Sequence, residues 1–214
     1  MNVLLFGATG MIGQGVLREC LLDPDVARVV SIGRSASGVE HPKLREIVRA
    51  DLFDYAGIDL SGIDACFFCL GVSAAGMSEA DYRRVTFDLT LAAATALAEQ
   101  SPQATFIYVS GEGTGGRAMW ARVKGETENA LRRLPFRRAV MFRPGFIQPL
   151  HGATSRTRAY RIFYVLAAPL LPLLRRVAPR YVTTTEQIAR AMLRVARDGA
   201  AEPVLNTAAI NRVT

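Results

Sequence analysis

Three glycines spaced three apart, in Gly7-Ala-Thr-Gly10-Met-Ile-Gly13, follow an apolar run and open a helical pattern. A loop of this kind binds phosphate with its backbone. The first glycine permits a sharp turn, Gly10 brings the chain up to a pyrophosphate with no Cβ in the way, and Gly13 lets the helix sit close on the strand. N–H groups and the positive end of the helix dipole then face the anion, so Gly7, Thr9, Gly10, Met11, Ile12 and Gly13 are the expected cradle. Roughly 20 residues past such glycines a nicotinamide-dinucleotide site usually carries an acid that accepts the adenosine ribose hydroxyls. This chain has Gly33-Arg34-Ser35 there. A guanidinium suits a 2′-phosphate and offers a ribose diol no acceptor, so Arg34 and Ser35 point to NADP(H) over NAD(H), the alternative being a solvated loop arginine. Asp51-Leu52 and Leu70-Gly71 stand where the adenine and its ribose would be enclosed.

The elements that must position these residues follow from the periodicity. Asn2 to Phe6, Val29 to Ile32, Leu44 to Val48, Ala65 to Leu70, Thr105 to Val109 and Arg138 to Phe142 are short, mostly apolar runs that read as strands, several of them buried on both faces. Helical spacing begins at Ile12 and stops at Asp23-Pro24, because proline cannot continue a helix. A long helix is expected from Ser78 to Glu99, opened by a Ser cap with Glu79 and Asp81 in its first turn, and another from about Arg117 to Leu134. Six strands alternating with helices predict an α/β fold, a doubly wound parallel sheet of Rossmann type. Residues 1–149 would form the nucleotide-binding core. The remainder, 150–214, would add a small helical cap (156–176 and 185–197) and one last strand at 203–205, all within one domain.

Composition narrows the class. Of 214 residues, 50% are hydrophobic and 21% charged, which excludes a disordered chain. Three cysteines make no disulfide framework, and the start MNVLLFGATG has no basic region or cleavage site, so a reducing cytoplasm is the expected location. Cys66 and Cys69 are three apart in a strand, point to opposite faces, and read as core. The net charge of +7 is uneven: from Arg117 to Arg180 there are fourteen Lys or Arg against Glu126 and Glu128. That surface favours an anionic partner such as a dinucleotide phosphate, an acidic substrate or a lipid headgroup; without a nucleic-acid motif or interleaved aromatics, nucleic acid is not expected. The 13-residue stretch 162–174, IFYVLAAPLLPLL, is shorter than the roughly 20 residues a bilayer span needs and carries two prolines. It reads as a buried or pocket-lining helix, or as peripheral membrane contact through 156–180.

Together, GATGMIG with its following GRS, DL after the third strand, CLG after the fourth, a Ser after the fifth, Lys124 on the next helix and Arg143-Pro144-Gly145 after the sixth resemble the short-chain dehydrogenase/reductase superfamily, closest to its atypical and extended epimerase/dehydratase-like members, over about residues 1–150. The resemblance implies a nicotinamide site that includes Lys124, Pro144, Gly145 and Phe146. It also implies proton transfer by a tyrosine and a lysine spaced Y-x-x-x-K, with a serine at the end of strand five. Four residues apart on a helix is one face, so such a lysine holds the nicotinamide ribose and lowers the tyrosine pKa. Lys124 fits the lysine, but Trp120 stands at the tyrosine position, and an indole N–H can donate a hydrogen bond without acting as an acid or base. The serine is Ser110, unless Gly111 takes its place; Val85-Thr86-Phe87 lacks the asparagine that extended members carry there. Protons would then come from Tyr108, Thr114, His151 or a water relayed through Ser110 and Lys124, His151 being either catalytic or an ordinary loop histidine. Arg156 and Arg158 could meet an acidic small-molecule substrate. The chain reads as an NADP(H)-binding oxidoreductase or epimerase-like protein, or as a non-catalytic cofactor sensor similar to NmrA-like regulators.

Overall fold

The computed structural model describes residues 1–153 and 180–214. β1 (Asn2–Phe6), β2 (Arg28–Gly33), β3 (Leu44–Val48), β4 (Ala65–Phe68), β5 (Thr105–Val109), β6 (Arg138–Arg143) and β9 (Val204–Asn206) form one seven-stranded sheet, ordered β3-β2-β1-β4-β5-β6-β9. Every pair in it is parallel. The order reverses between β1 and β4, and a crevice opens there beyond the carboxyl ends of the strands. The doubly wound fold expected from the sequence is present.

Alternation along the strands builds two apolar layers. Val3 and Leu5 of β1 and Phe67 of β4 join Val16, Leu17 and Cys20 of α1 (Met11–Leu22) on one face. Leu4 and Phe6, with Cys66 and Phe68, face the other way toward Leu97 of α3 (Leu89–Gln100) and toward Phe106 and Tyr108. The period of two thus separates Cys66 from Cys69, which packs at the edge of the first layer; both thiols are free.

Two crossovers depart from the alternating pattern, since neither 34–43 nor 49–64 contains a helix. Aspartates explain the second. Asp51, Asp54 and Asp59 each accept the backbone N–H two residues on, from Phe53, Ala56 and Ser61, and such local turns compete with helical hydrogen bonding. The long helix expected from Ser78 exists with a fault in it: α2 (Glu79–Arg83) runs into a π-helical turn at Arg84–Asp88 and then α3. Ser78 caps it as expected, its Oγ accepting the Asp81 N–H at 3.1 Å.

The C-terminal residues complete the layers. α5 (Thr185–Asp198) buries Ile188, Met192 and Val195 against α1. β9 extends the sheet, and α6 (Thr207–Val213), a helix with no counterpart in the sequence reading, is capped by Asn206. A small parallel pair, β7 (Phe146–Gln148) and β8 (Val182–Thr184), was likewise too short to show as a pattern. The apolar stretch 162–174 and Arg156 and Arg158 lie outside the described residues; among the described helices none is long and apolar enough to cross a membrane.

The approach of α1 to α5 depends on Gly15, where a Cβ would lie 2.7 Å from Thr185 Cβ. Gly15→Val should cost about 1–3 kcal/mol through overpacking. Thermal unfolding should show it as a drop of about 2–4 °C per kcal/mol for a chain of this size; an unchanged midpoint would contradict the close packing.

Candidate functional site

Gly7 adopts φ +83°, and a Cβ on it would meet the Leu70 nitrogen at 2.7 Å. Its carbonyl accepts the Gly10 N–H at 2.9 Å and passes so near Gly13 that a Cβ there would lie 1.9 Å from it. Gly10 caps α1 without a side chain, which leaves the first-turn N–H groups uncapped from that side. Above this turn lies a cleft of about 540 Å³, a volume within the usual range for small-molecule and cofactor sites. It collects Gly7, Thr9, Gly10, Met11, Ile12, Arg34, Ser35, Leu52, Leu70, Gly71, Ser110, Lys124, Pro144 and Gly145. Among its described lining residues none is Asp or Glu; Arg34 and Lys124 carry its charge. The bare backbone turn, the uncapped helix start and the two cations suit a dinucleotide phosphate.

Some expected residues stand elsewhere. Gly13 lies behind the turn and acts through helix packing alone. Asp51 is outside the cleft, its carboxylate occupied by the Phe53 N–H, so Leu52 is the member of that pair that reaches the site. His151 lines neither this cleft nor its neighbour: at φ +55° it turns its ring to Glu186, with Nε2 2.6 Å from Oε2. That contact, reinforced by Arg190, holds the Glu186 carboxyl below the usual carboxylate range. Tyr108 is buried among β-sheet side chains, and burial pushes its hydroxyl pKa up. Thr114 donates its hydroxyl to the Gly111 carbonyl at 2.7 Å.

A second cleft, also about 540 Å³, adjoins the first. Trp120 and Phe146 wall it with Val72, Ala74, Ala75 and Pro144, and its polar members are Ser73, Tyr82, Glu112 and Lys124. Gly113, at φ +87°, leaves room for the indole: a Cβ would approach its edge at 3.2 Å. The Glu112 carboxylate lies against Gly145, where a Cβ would come within 2.4 Å of Oε2. Tyr82, buried on α2, and Glu112 are site residues the sequence reading does not contain.

Beneath the junction of the clefts sits a buried carboxylate. Glu128, 4% exposed on α4 (Met119–Leu131), accepts the Ser110 hydroxyl at 2.5 Å and is gripped by both arms of Arg143, with Nε at 2.9 Å. Ser110 therefore spends its proton on Glu128. Lys124 donates to the Ser110 carbonyl from the same helix. Burial lowers the Lys124 pKa to about 8, against a smaller opposing pull from Glu128. A signal for Glu128 existed in the sequence, since it stands four residues after Lys124 and eight after Trp120 on one helical face. Its partner Arg143, first residue of the Arg143-Pro144-Gly145 run, is its counter-ion.

The fold and these clefts define a class by shape: the same fold occurs in solved enzymes of the epimerase and short-chain dehydrogenase/reductase kinds. The Bordetella bronchiseptica enzyme WbmF, solved with NAD+, superposes with a TM-score of 0.70 at 16% identity, over 96% of this chain and 72% of that one. The UDP-glucuronic acid 4-epimerase of Bacillus cereus, solved with NAD, gives 0.68 at 15% identity, over 96% and 78%. A Burkholderia thailandensis oxidoreductase of the short-chain dehydrogenase/reductase family gives 0.67 at 17%, over 100% and 93%. In sequence the chain is similar to a more particular group, the fungal proteins called fmp52, mitochondrial. That of Emericella nidulans is 34% identical over 157 residues, and that of Aspergillus fumigatus 33%. The match covers 68% of this chain and 66% of each relative. No protein-family model matches the chain. The expectation of a cytoplasmic location is overturned by these relatives, which are named as mitochondrial proteins.

Arg143→Leu should leave the Glu128 carboxylate buried without its counter-ion, a change that costs about 3–5 kcal/mol in buried pairs. Urea unfolding measures it; a loss under about 1 kcal/mol, typical of exposed pairs, would show that the pair is solvated.

Proposed function

We propose that the chain is an NADP(H)-dependent oxidoreductase acting on small, neutral carbonyl compounds. The observation that carries the cofactor choice is the first cleft's lining, which places Arg34 and Ser35 at the end of β2 and offers no carboxylate to a ribose diol. Arg34 is exposed and unobstructed by burial, so its guanidinium can close on a 2′-phosphate with charge-assisted hydrogen bonds. The α1 start and the Gly7–Gly10 turn would hold the pyrophosphate, and Pro144, Gly145 and Lys124 the nicotinamide end. When bound, the cofactor supplies or takes up a hydride. The chain's own residues wall the reacting carbonyl away from water with Trp120, Phe146 and Pro144, while Glu128 holds Ser110 and Arg143 in fixed positions below.

The second cleft supports the substrate class. Among the described residues its walls are apolar and aromatic, and its charged members are one cation, Lys124, and one anion, Glu112. An anionic substrate would meet the Glu112 carboxylate, whereas a neutral aldehyde, ketone or quinone would not. The fungal relatives are named for their location rather than for a reaction, and the epimerase neighbours support hydride chemistry by fold alone.

A second reading, a cofactor-responsive regulator without turnover, rests on Trp120 in the tyrosine position. It predicts association with a protein partner that depends on NADPH.

Calorimetric titration tests the cofactor assignment. NADPH should bind at least tenfold tighter than NADH, Arg34→Ala should remove that preference, and Gly10→Asp should abolish both by placing a carboxylate against the phosphates. A tenfold ratio corresponds to about 1.4 kcal/mol, within the span of one hydrogen bond to a charged group. Equal affinities for the two nucleotides in the unmodified protein would sink the NADP(H) assignment.

A further inference from the structure

Among the residues common to both clefts (Val72, Ser73, Gly111, Lys124, Pro144 and Gly145), Lys124 alone bears a titratable side chain. Three of the other expected proton carriers are committed or displaced, and Tyr82 of the second cleft is the rival that the test below addresses. The Ser110 hydroxyl donates to Glu128, Thr114 to Gly111, and His151 is tied to Glu186 outside both clefts. Trp120 holds the position from which a tyrosine would act, with a group that neither gains nor loses a proton near neutral pH.

Composition adds an independent observation. Of the 26 basic residues, 24 are Arg and only two, Lys43 and Lys124, are Lys. Lys43 donates to the Asp23 carbonyl, far from the clefts. Arginine stays charged in proteins, whereas a lysine amine releases its proton when the site desolvates it. A chain that uses arginine almost everywhere has kept its exchangeable cation at the meeting point of the two clefts.

We propose that Lys124 is itself the proton donor, replacing the tyrosine–lysine couple of the superfamily by a single amine, with Trp120 as an inert wall. This inference rests on the oxidoreductase reading above. In the reduction, hydride from NADPH forms the new C–H bond at the carbonyl carbon, the C=O π pair moves to oxygen, and an N–H bond of the Lys124 ammonium breaks to protonate that oxygen. The products are the alcohol, NADP+ and a neutral amine, which takes its proton back from solvent. One ammonium proton is held by the Ser110 carbonyl, which aims the nitrogen and leaves two for transfer.

The groups facing Lys124 set the direction of the pH dependence. Glu128 on its own helix favours the ammonium, while burial between the clefts favours the free amine and dominates. Glu112 beyond β5 and Tyr82 on α2 line the same cleft, and Arg143 on β6 is neutralised by Glu128. The acid form, and with it carbonyl reduction, is therefore complete below a midpoint near 8 and lost above it; alcohol oxidation, which needs the free amine, rises through the same midpoint.

The test uses the full chain with benzaldehyde and menadione as carbonyl probes and NADPH as reductant. A second readout needs no turnover: reductive methylation with [13C]formaldehyde labels both lysines, and the signal absent from Lys124→Arg is followed by NMR against pH. Support requires that this signal titrate near 8 and that reduction fall above the same pH. It also requires that Lys124→Arg, which keeps the cation and the donor to Ser110, lose at least 100-fold in kcat at saturating NADPH. An ordinary lysine midpoint overturns the proposal, as does Lys124→Arg that still turns over. Loss of the alkaline limb in a Tyr82→Phe variant that still turns over, or loss of turnover in Tyr82→Phe with NADPH binding intact, overturns it in favour of Tyr82. Should the unmodified protein bind NADPH and reduce neither probe, the oxidoreductase reading fails and carries the proposal with it; failure in Lys124→Arg behaviour alone, with the unmodified protein active, leaves that reading standing.

Discussion

Glu128 is a carboxylate sunk between the ends of β5 and β6 and the helix that crosses them, and the geometry of the site hangs on how its charge is satisfied. Arg143 neutralises it from β6, and Ser110 supplies a hydroxyl from the end of β5. Stripping either partner would leave an ion in a medium that solvates it poorly. The same carboxylate thereby pins three chain segments and uses up the serine proton. What remains for chemistry at the junction of the clefts is the amine of Lys124, one turn earlier on the same helix.

The glycine turn plays the matching part at the other end of the cleft. Its approach of Gly13 to the Gly7 carbonyl is possible only without side chains, and it brings the start of α1 to the switch point between β1 and β4. One cavity therefore runs from the Arg34 guanidinium to Lys124. A bare glycine turn and an amine whose pKa burial lowers stand at the two ends of one cleft, and the proposed hydride and proton transfer rests on that arrangement. The apolar walls of the adjoining cleft limit what can be brought to them.

Structures of the same fold were solved with NAD, and where the resemblance calls for a tyrosine this chain has Trp120. Around the tryptophan stand Lys124, the Glu128–Arg143 pair and the walls of the second cleft.

Much of the fold was legible in the amino-acid sequence because it rests on local causes. Apolar runs of five residues gave buried strands, Pro24 stopped α1, Ser78 capped α2, and the three glycines made their turn wherever the chain took them. The crossovers without helices were less legible: aspartate side chains bonding two residues on overrode the alternation. Short elements such as β7, β8 and α6 carry too few residues for a period to show. The tertiary structure alone decided which polar groups meet. Pairing of Val109 with Phe142 in the sheet sets Ser110 beside Arg143, and the packing of α4 drops Glu128 between them, although these residues lie far apart along the chain. His151 was drawn to Glu186 by the same kind of long-range placement, outside both described clefts. Spacing along a helix or strand decides which face a side chain takes; the partner it finds there, and hence its proton, depends on sheet register and layer packing that no local pattern encodes.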